Sequence, residues 1–270
     1  MEFISYLEYK MKAIQPLNRL GETTKTGMLL KYKGAFTDYM PWEEFGDLSL
    51  SEMKKQLASG NIPQFLLDNF ALSLLPQKLV GFKNHVFGDM NKEYSNTVKL
   101  KYFNDIKKIL LQVNESSFSK IRIDFNNGLS LDEWRFFEQH VQKEKLDFVE
   151  DPFPNFDIVT DIPVASDFNP LNANSAIKVF KPLSEASPSE AVKRVIYTHS
   201  MGHNLGCWQA YLRFLANKKV HDEVHGLYMP GLYFDNPFLF EFKDGFFYPN
   251  LLEVNKMIDA LEGAKWIPLT

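Results

Sequence analysis

Apolar and polar residues alternate with a period of two over 98–102 and again over 121–126. Val98, Leu100 and Tyr102, then Ile121, Ile123 and Phe125, share one face, while Lys99 and Lys101, then Arg122, Asp124 and Asn126, share the other. That period marks β-strands. Three more short apolar segments follow, over 147–152, 164–168 and 177–182, and they carry Glu150, Asp167 and Lys181. Two of the intervening stretches have helical period. One opens at Asn104 or Asp105 and sets Ile106, Ile109, Leu110 and Val113 on one side. The other opens at Ser130, which forms a capping box with Glu133, and carries Leu131, Trp134, Phe137 and Val141. Alternating strands and helices predict a parallel sheet whose apolar face meets the helices, so the charged face points into a closed barrel.

The flanks read differently. Residues 3–12 and 28–38 predict antiparallel strands joined by a polar loop over 18–27. A helix over 50–59 is capped by Ser49 or Ser51 and ended by Gly60, and a second, more apolar helix runs over 62–79 after Pro63. A short strand over 85–90 lies too close to Val98 for the ~10–12 residues of a helical crossover. Further strands are predicted at 195–200 and 224–229, with helices at 187–194 and 204–218. The tail reads as a hairpin, 238–242 with 246–248, and a helix over 250–262 that packs back on the N-terminal unit. The predicted fold class is α/β: a modified (β/α)-barrel with some helices missing, plus an α+β capping domain built from the N-terminal segment and the C-terminal tail. The cap takes residues 1–82 with 233–270 returning to it, and the barrel takes 83–232. A complete barrel of this kind uses about 250 residues and roughly 150 remain here, so several helices must be absent.

Composition narrows the field. A chain of 270 residues with 45% apolar content can bury a substantial core, and its net charge of -4 offers no basic footprint for nucleic acid. The single cysteine, Cys207, rules out an internal disulfide framework and suits a reducing compartment. Glu2, Glu8, Lys10 and Lys12 interrupt the first dozen residues, so no secretory leader is expected there, and no apolar run is long enough for a membrane span. A cytoplasmic protein with a small-molecule partner, neither nucleic-acid-bound nor membrane-bound, is the expectation.

The chemistry lies in the inward-facing charges. Asp124, Glu150 and Asp167 each end a strand, the end from which barrels present catalytic groups. Buried carboxylates are costly unless a cation organises them, and three hard oxygen donors without His or Cys suit Mg²⁺. Lys99 and Lys101 enter the ring from one strand and Lys181 from another. As an acid/base, Lys101 must have its pKa lowered from about 10.4, and burial, the Lys99 charge and a bound cation all act in that direction. Taken alone, Lys99-Leu100-Lys101 is also what two solvated strand lysines look like. Two histidine pairs, His199 with His203 and His221 with His225, have i, i+4 spacing but lack the Glu or nearby Cys of a zinc motif.

Together, Lys99-Leu100-Lys101, Arg122-Ile123-Asp124-Phe125-Asn126, Phe148-Val149-Glu150-Asp151-Pro152, Ala165-Ser166-Asp167 and Lys181-Pro182 resemble the enolase superfamily, muconate-lactonising subgroup, most closely its o-succinylbenzoate synthases. The resemblance implies Asp124, Glu150 and Asp167 as Mg²⁺ ligands, Lys101 as acid/base, Lys181 facing it across the substrate and Lys99 tuning it. It further implies substrate contacts from Ser200 and Gly231, with Arg122 and Asn126 as additional candidates. The activity implied is a Mg²⁺-dependent lyase that dehydrates 2-succinyl-6-hydroxy-2,4-cyclohexadiene-1-carboxylate to 2-succinylbenzoate in menaquinone biosynthesis. The chain departs from the family in the cap, where Thr37-Asp38-Tyr39-Met40-Pro41 replaces a Gly-Glu-x-x-Pro segment. Trp42 and the loop over 18–27 are candidates for a lid, or simply a surface aromatic and a linker. Two other readings stay open: an N-acylamino acid racemase or dipeptide epimerase using both lysines as bases, and a barrel that has lost catalysis and serves as a binding module.

Overall fold

The computed structural model describes residues 3–14, 17, 21–87, 92–154, 159–167, 177–185, 192–217, 222–229 and 239–269. The chain begins with a four-stranded antiparallel sheet. Strands β1 (Ser5–Lys12), β2 (Thr24–Tyr32) and β3 (Ala35–Tyr39) follow in order, and β15 (Ile267–Pro268), from the far end of the chain, pairs with β1 on its outer side. The strand predicted over 28–38 is therefore two strands. Tyr32 pairs with Ala35, and Lys33 and Gly34 turn the chain with positive φ of 51° and 78°, the two-residue geometry that suits the twist of a hairpin. Helix α1 (Leu50–Ala58) starts at the reciprocal capping box of Ser49 and Glu52. Met53 and Leu57 of α1, with Leu66 and Phe70 of α2 (Gln64–Phe70), bury against Met28, Leu30 and Tyr39 of the sheet.

The long helix predicted over 62–79 stops at Phe70. Pro76 disfavours helical backbone at Leu75, and the chain from Ala71 instead crosses helix α5 (Asn204–Ala216) in irregular conformation. Its backbone groups are met from that helix: Trp208 Nε1 donates to the Leu74 carbonyl, and the Tyr211 hydroxyl accepts from Val80 N–H and donates to Val80 O.

Seven parallel strands form the barrel wall in the order β5 to β11: Val86–Phe87, Thr97–Lys101, Lys120–Asp124, Leu146–Glu150, Val164–Ser166, Ile177–Phe180 and Arg194–Tyr197. The predicted strand over 85–90 is split. Lys83–Asn84 (β4) pairs with Val224–His225 (β12), whereas Val86–Phe87 pairs with β6, and His85 N–H donates to His225 O between them. Gly226 bridges to Thr198 beyond the end of β11, so β12 and β4 close the ring. The predicted eighth strand is shorter than 224–229 because its continuation is held by side chains: Asn84 Oδ1 accepts from the Leu227 and Tyr228 N–H groups.

Only three outer helices are seen among the described residues: α3 (Ile106–Glu115), capped by Asp105, α4 (Leu131–His140), with the Ser130–Glu133 capping box, and α5, capped by the His203 imidazole. Parity then sorts the strands. Val98, Leu100, Ile121, Ile123 and Val149 face α3 and α4 in one apolar cluster, while Phe148, Ala165, Ile177, Val179 and Ile196 fill the interior with a second. The hairpin β13 (Phe240–Lys243) and β14 (Phe246–Pro249) does not join the N-terminal sheet. It bridges Phe82 through Phe247 and lies in the large cluster around Trp208 and Tyr211, where apolar burial is greatest. The return to the N-terminal sheet is made by β15, beyond helix α6 (Leu251–Gly263).

Gln209 of α5 fixes the sheet to the barrel. Its amide donates to the carbonyls of Phe36 and Asn69 and accepts from Thr37 Oγ1 and Asp38 N–H. Beside it, Asp38 is completely buried, accepts from the Tyr9 hydroxyl at 2.7 Å, and is pushed up to about 7, chiefly by burial. The sign follows: a carboxyl that binds its proton more tightly when folded makes stability fall as pH rises from about 4 to about 7, by about 4 kcal/mol at most. Asp38→Asn is expected to flatten that slope. The check is urea melts of both proteins at pH 5 and pH 8, the variant showing the smaller difference.

Candidate active site

The β-strand pleat places Lys99 and Lys101 of β6, Asp124 of β7, Glu150 of β8, Asp167 just past β9 and Lys181 just past β10 on the inner surface at the C-terminal end of the wall. Lys99 lies at the centre. Its Nζ is 2.6 Å from Glu150 Oε2 and 3.2 Å from Asp124 Oδ2, and all three residues are at most 6% exposed. Lys181 Nζ donates to Asp167 Oδ2 at 2.5 Å, and Lys101 Nζ donates to the carbonyl of Leu17, which reaches in from the segment after β1.

Burial and neighbouring charge divide the lysines. Burial works against the charged form of Lys99, but the carboxylates of Asp124, Glu150 and Asp167 outweigh it and hold its ammonium well above the usual range. Lys101, on the same face two residues on, is brought down to about 8, chiefly by burial and further by the Lys99 and Lys181 charges, with Asp124 pulling the other way. Burial pushes the Glu150 carboxyl up to about 7 against the pull of Lys99. The three lysine charges hold Asp124 below the usual carboxylate range despite its burial. A ring with one firmly charged lysine and one readily neutralised is suited to moving a proton.

The carboxylates gather differently from the expectation. Among the described residues no three His, Cys, Asp or Glu side chains surround a common point. Ammonium groups stand between the acids instead, Lys99 joining Asp124 to Glu150 and Lys181 holding Asp167, because opposite charges this deeply buried neutralise one another at contact distance. The second oxygens of Asp124 and Asp167, both Oδ1, are nonetheless buried with no hydrogen-bond partner among the described residues, and both residues line one cavity. An all-oxygen donor set with two uncompensated buried oxygens fits a hard divalent cation.

Lys99, Lys101, Asp124, Asp167 and Lys181 of this ring line one cavity of about 40 Å³. Leu17, Trp42, Met201 and Met229 cluster as an apolar roof, with Phe87 packed against it. Trp42, one of the lid candidates, is buried and tethered to the barrel by its Nε1–H to the Ser200 carbonyl. His85, Thr198, His199 and Gly226 form the remaining wall. Glycine is needed there, since a Cβ on Gly226 would lie 2.5 Å from the His85 ring and 2.9 Å from the Thr198 methyl.

The predicted substrate contacts fare unevenly. Asn126 lines the cavity from a left-handed conformation, φ 48°. Ser200 is buried beneath Trp42, its hydroxyl without a partner among the described residues. Gly231 lies outside the described residues. Arg122 does not line the cavity, which corrects its reading as a substrate contact. It lies on the same face as Asp124 but one pleat deeper, fully buried, with Nε on Asp147 at 2.7 Å, Nη1 on His85 Nδ1 and the Val224 carbonyl, and its guanidinium over the Phe148 ring. The irregular register between β7 and β8 at Ile121–Arg122 turns Asp147 toward it, and Arg194 adds two further hydrogen bonds to Asp147.

The sequence reading missed His85, Thr198 and the cavity side of His199. His199 was legible only as half of a weak zinc pair. Its Nδ1 accepts from Met201 N–H, whereas His203 caps α5 by accepting from Leu205 N–H.

Comparison with known proteins agrees with this architecture. Residues 4–73 match the family model described as O-succinylbenzoate synthase, N-terminal domain. An o-succinylbenzoate synthase of Bdellovibrio bacteriovorus is 31% identical over 189 residues, a match that spans 56% of this chain and 56% of that protein's length. Among solved structures, a dipeptide epimerase from Cytophaga hutchinsonii, complexed with Mg and D-Ala-L-Val, superposes with TM-score 0.69 at 13% identity over the whole of both chains. The o-succinylbenzoate synthase of Thermosynechococcus elongatus, with Mg in its active site, superposes with TM-score 0.65 at 11% identity, covering 95% of this chain and 99% of that one. No helix among the described residues is long and apolar enough to cross a membrane. The chain therefore has the capped parallel-barrel fold of these enolase-type structures, and its first sheet and helices match the N-terminal domain of o-succinylbenzoate synthases.

Proposed function

We propose that the chain is a Mg²⁺-dependent lyase that dehydrates 2-succinyl-6-hydroxy-2,4-cyclohexadiene-1-carboxylate to 2-succinylbenzoate, with its cap formed by 1–82 and 233–270 over a barrel of 83–232. The observation that carries the reading is the buried ring itself. Lys101, lowered to about 8, and Lys181, bound to Asp167, enter one cavity from separate strands around two carboxylate oxygens that no described residue satisfies. The o-succinylbenzoate synthase type of the cap favours dehydration over epimerisation.

In this reading Asp124, Glu150 and Asp167 hold the cation, which when bound stabilises the negative charge that builds on the substrate carboxylate as the α-proton leaves. Lys101 does the proton work. As a neutral amine it takes the α-proton, and as an ammonium it returns that proton to the departing hydroxyl, so that water leaves and the ring becomes aromatic. Lys181, paired with Asp167, lies over the developing π-system. Lys99 keeps its proton and disfavours a second charge on Lys101. Leu17, Trp42, Phe87 and Met229 exclude water from the ring, which strengthens each of these charge interactions.

The direct test follows the ultraviolet absorbance of the aromatised product. Turnover is expected in the presence of Mg²⁺, and chelation by EDTA is expected to reduce it at least ~10³-fold, restored by adding Mg²⁺ back. Solvent deuterium entering the α-position of an N-acylamino acid or a dipeptide, with no dehydration, would replace the lyase by an epimerase. A protein that binds no Mg²⁺ by calorimetry would be a binding module.

A further inference from the structure

Besides the charged ring, the cavity lining carries polar groups that the proposed chemistry does not use. His199 is 6% exposed, and its Nε2 has no hydrogen-bond partner among the described residues. The Thr198 hydroxyl beside it is likewise buried and unpartnered. Both residues line the cavity. The tautomer of His199 is fixed by its other nitrogen: Met201 N–H donates to Nδ1 at 3.0 Å, so Nδ1 carries no proton and Nε2 is an N–H donor. Burial takes the imidazole down to about 4, which keeps the ring neutral at physiological pH. His85, on the same wall, has the same polarity, because the Arg122 guanidinium can only donate to its Nδ1 and thereby leaves the proton on Nε2.

A buried donor without an acceptor costs the full price of its desolvation. Two imidazoles on this wall, both locked as donors, favour a ligand presenting oxygen acceptors, to which the Thr198 hydroxyl can donate as well. An amine would bring donor against donor. We propose that His199 determines substrate specificity: its Nε2–H donates to an oxygen on the substrate arm remote from the reacting carbon, selecting an arm that ends in oxo or carboxylate oxygens over one that ends in an amine. This rests on the lyase reading, and it deepens it, since a succinyl arm has acceptors only whereas a dipeptide substrate ends in a free amine.

The test is calorimetric binding of three aryl carboxylates to the full chain with Mg²⁺: 2-succinylbenzoate, 2-butylbenzoate, whose arm lacks oxygen, and 2-(4-aminobutyl)benzoate. The unaltered protein is expected to bind the succinyl compound at least ~10-fold more tightly than the other two. His199→Leu should weaken the succinyl compound ~10- to 100-fold and leave 2-butylbenzoate unchanged, the range set by loss of one buried hydrogen bond. His199→Gln, whose amide nitrogen reaches the place of Nε2, should recover binding to within ~3-fold. His199→Asn, whose amide stops near the place of Nδ1, should not, and being polar it covers the case in which the leucine variant fails to fold. A His199→Leu or His199→Asn protein that melts normally and still discriminates as before would overturn the inference while leaving the lyase reading intact. An unaltered protein that binds none of the three would remove both.

Discussion

Lys101→Ala is expected to lower the dehydration kcat by about 10⁴-fold and to leave the melting temperature unchanged or slightly raised. The two halves of that result have separate causes. General acid/base catalysis by one positioned group contributes ~10²–10⁴-fold, and in a reaction where the same amine takes the proton and delivers it, its loss lies at the upper end. Stability responds in the opposite sense because the folded protein places the Lys101 charge where burial and two neighbouring ammonium groups disfavour it, its main hydrogen bond being to a carbonyl of the Leu17 segment. Removing an adverse charge costs little packing at a half-buried position. Single-turnover ultraviolet traces beside thermal melts separate the two effects. A variant that keeps more than a tenth of the wild-type rate while melting normally would remove Lys101 from the chemistry. A variant that unfolds would instead make the lysine structural.

Asp147→Ala is expected to destabilise the protein by about 3–5 kcal/mol, the cost of leaving a buried charge without its partner. Two arginines depend on this carboxylate. Arg122 is fully buried with its Nε on Asp147, and Arg194 makes two hydrogen bonds to Asp147 and two to Glu223. Asp147 in turn is held below the usual carboxylate range by the two guanidinium groups in spite of its burial. Alanine leaves Arg122 with His85, the Val224 carbonyl and the Phe148 face, none of them charged. Arg122→Met removes the charge with the partner still present; Asp147 then keeps Arg194, so the loss should be smaller. In both variants KM for the substrate should change less than stability does, because Arg122 lies below the cavity rather than on its wall. Urea melts give the first quantity and initial rates under stabilising conditions the second. A Arg122→Met protein with normal stability and a sharply raised KM would return Arg122 to the substrate.

Much of this molecule could be read from residue order. The period-two pattern at 98–102 and 121–126 placed Lys99, Lys101 and Asp124 on one face of their strands, and the apolar face meets α3 and α4 as that pattern requires. The caps at Ser49 and Ser130 and the shortage of barrel helices are equally local, since each follows from a few neighbouring residues or from chain length. The failures are equally specific. The turn at Lys33–Gly34 looked like continuous strand because only its backbone angles, both positive, separate a hairpin from an extended run. The segment after Phe70 has helical composition, but side chains of α5, more than 130 residues away, satisfy its backbone.

The sequence by itself determined which side chains face inward and at which end of the barrel, because both depend on the alternation of a strand and on its direction. Depth and partnership were decided by the tertiary structure alone. Arg122 and Asp124 share a face and a charged character, yet one pleat of depth commits the first to Asp147 and places the second on the cavity lining, one of its oxygens unpartnered among the described residues. His199 stood out in the sequence only by its spacing from His203, without the companions of a zinc motif, and the fold supplied Met201 N–H to one nitrogen and placed the residue on the cavity lining. Those outcomes are set by strand register and loop closure, which bring together groups that no local spacing relates.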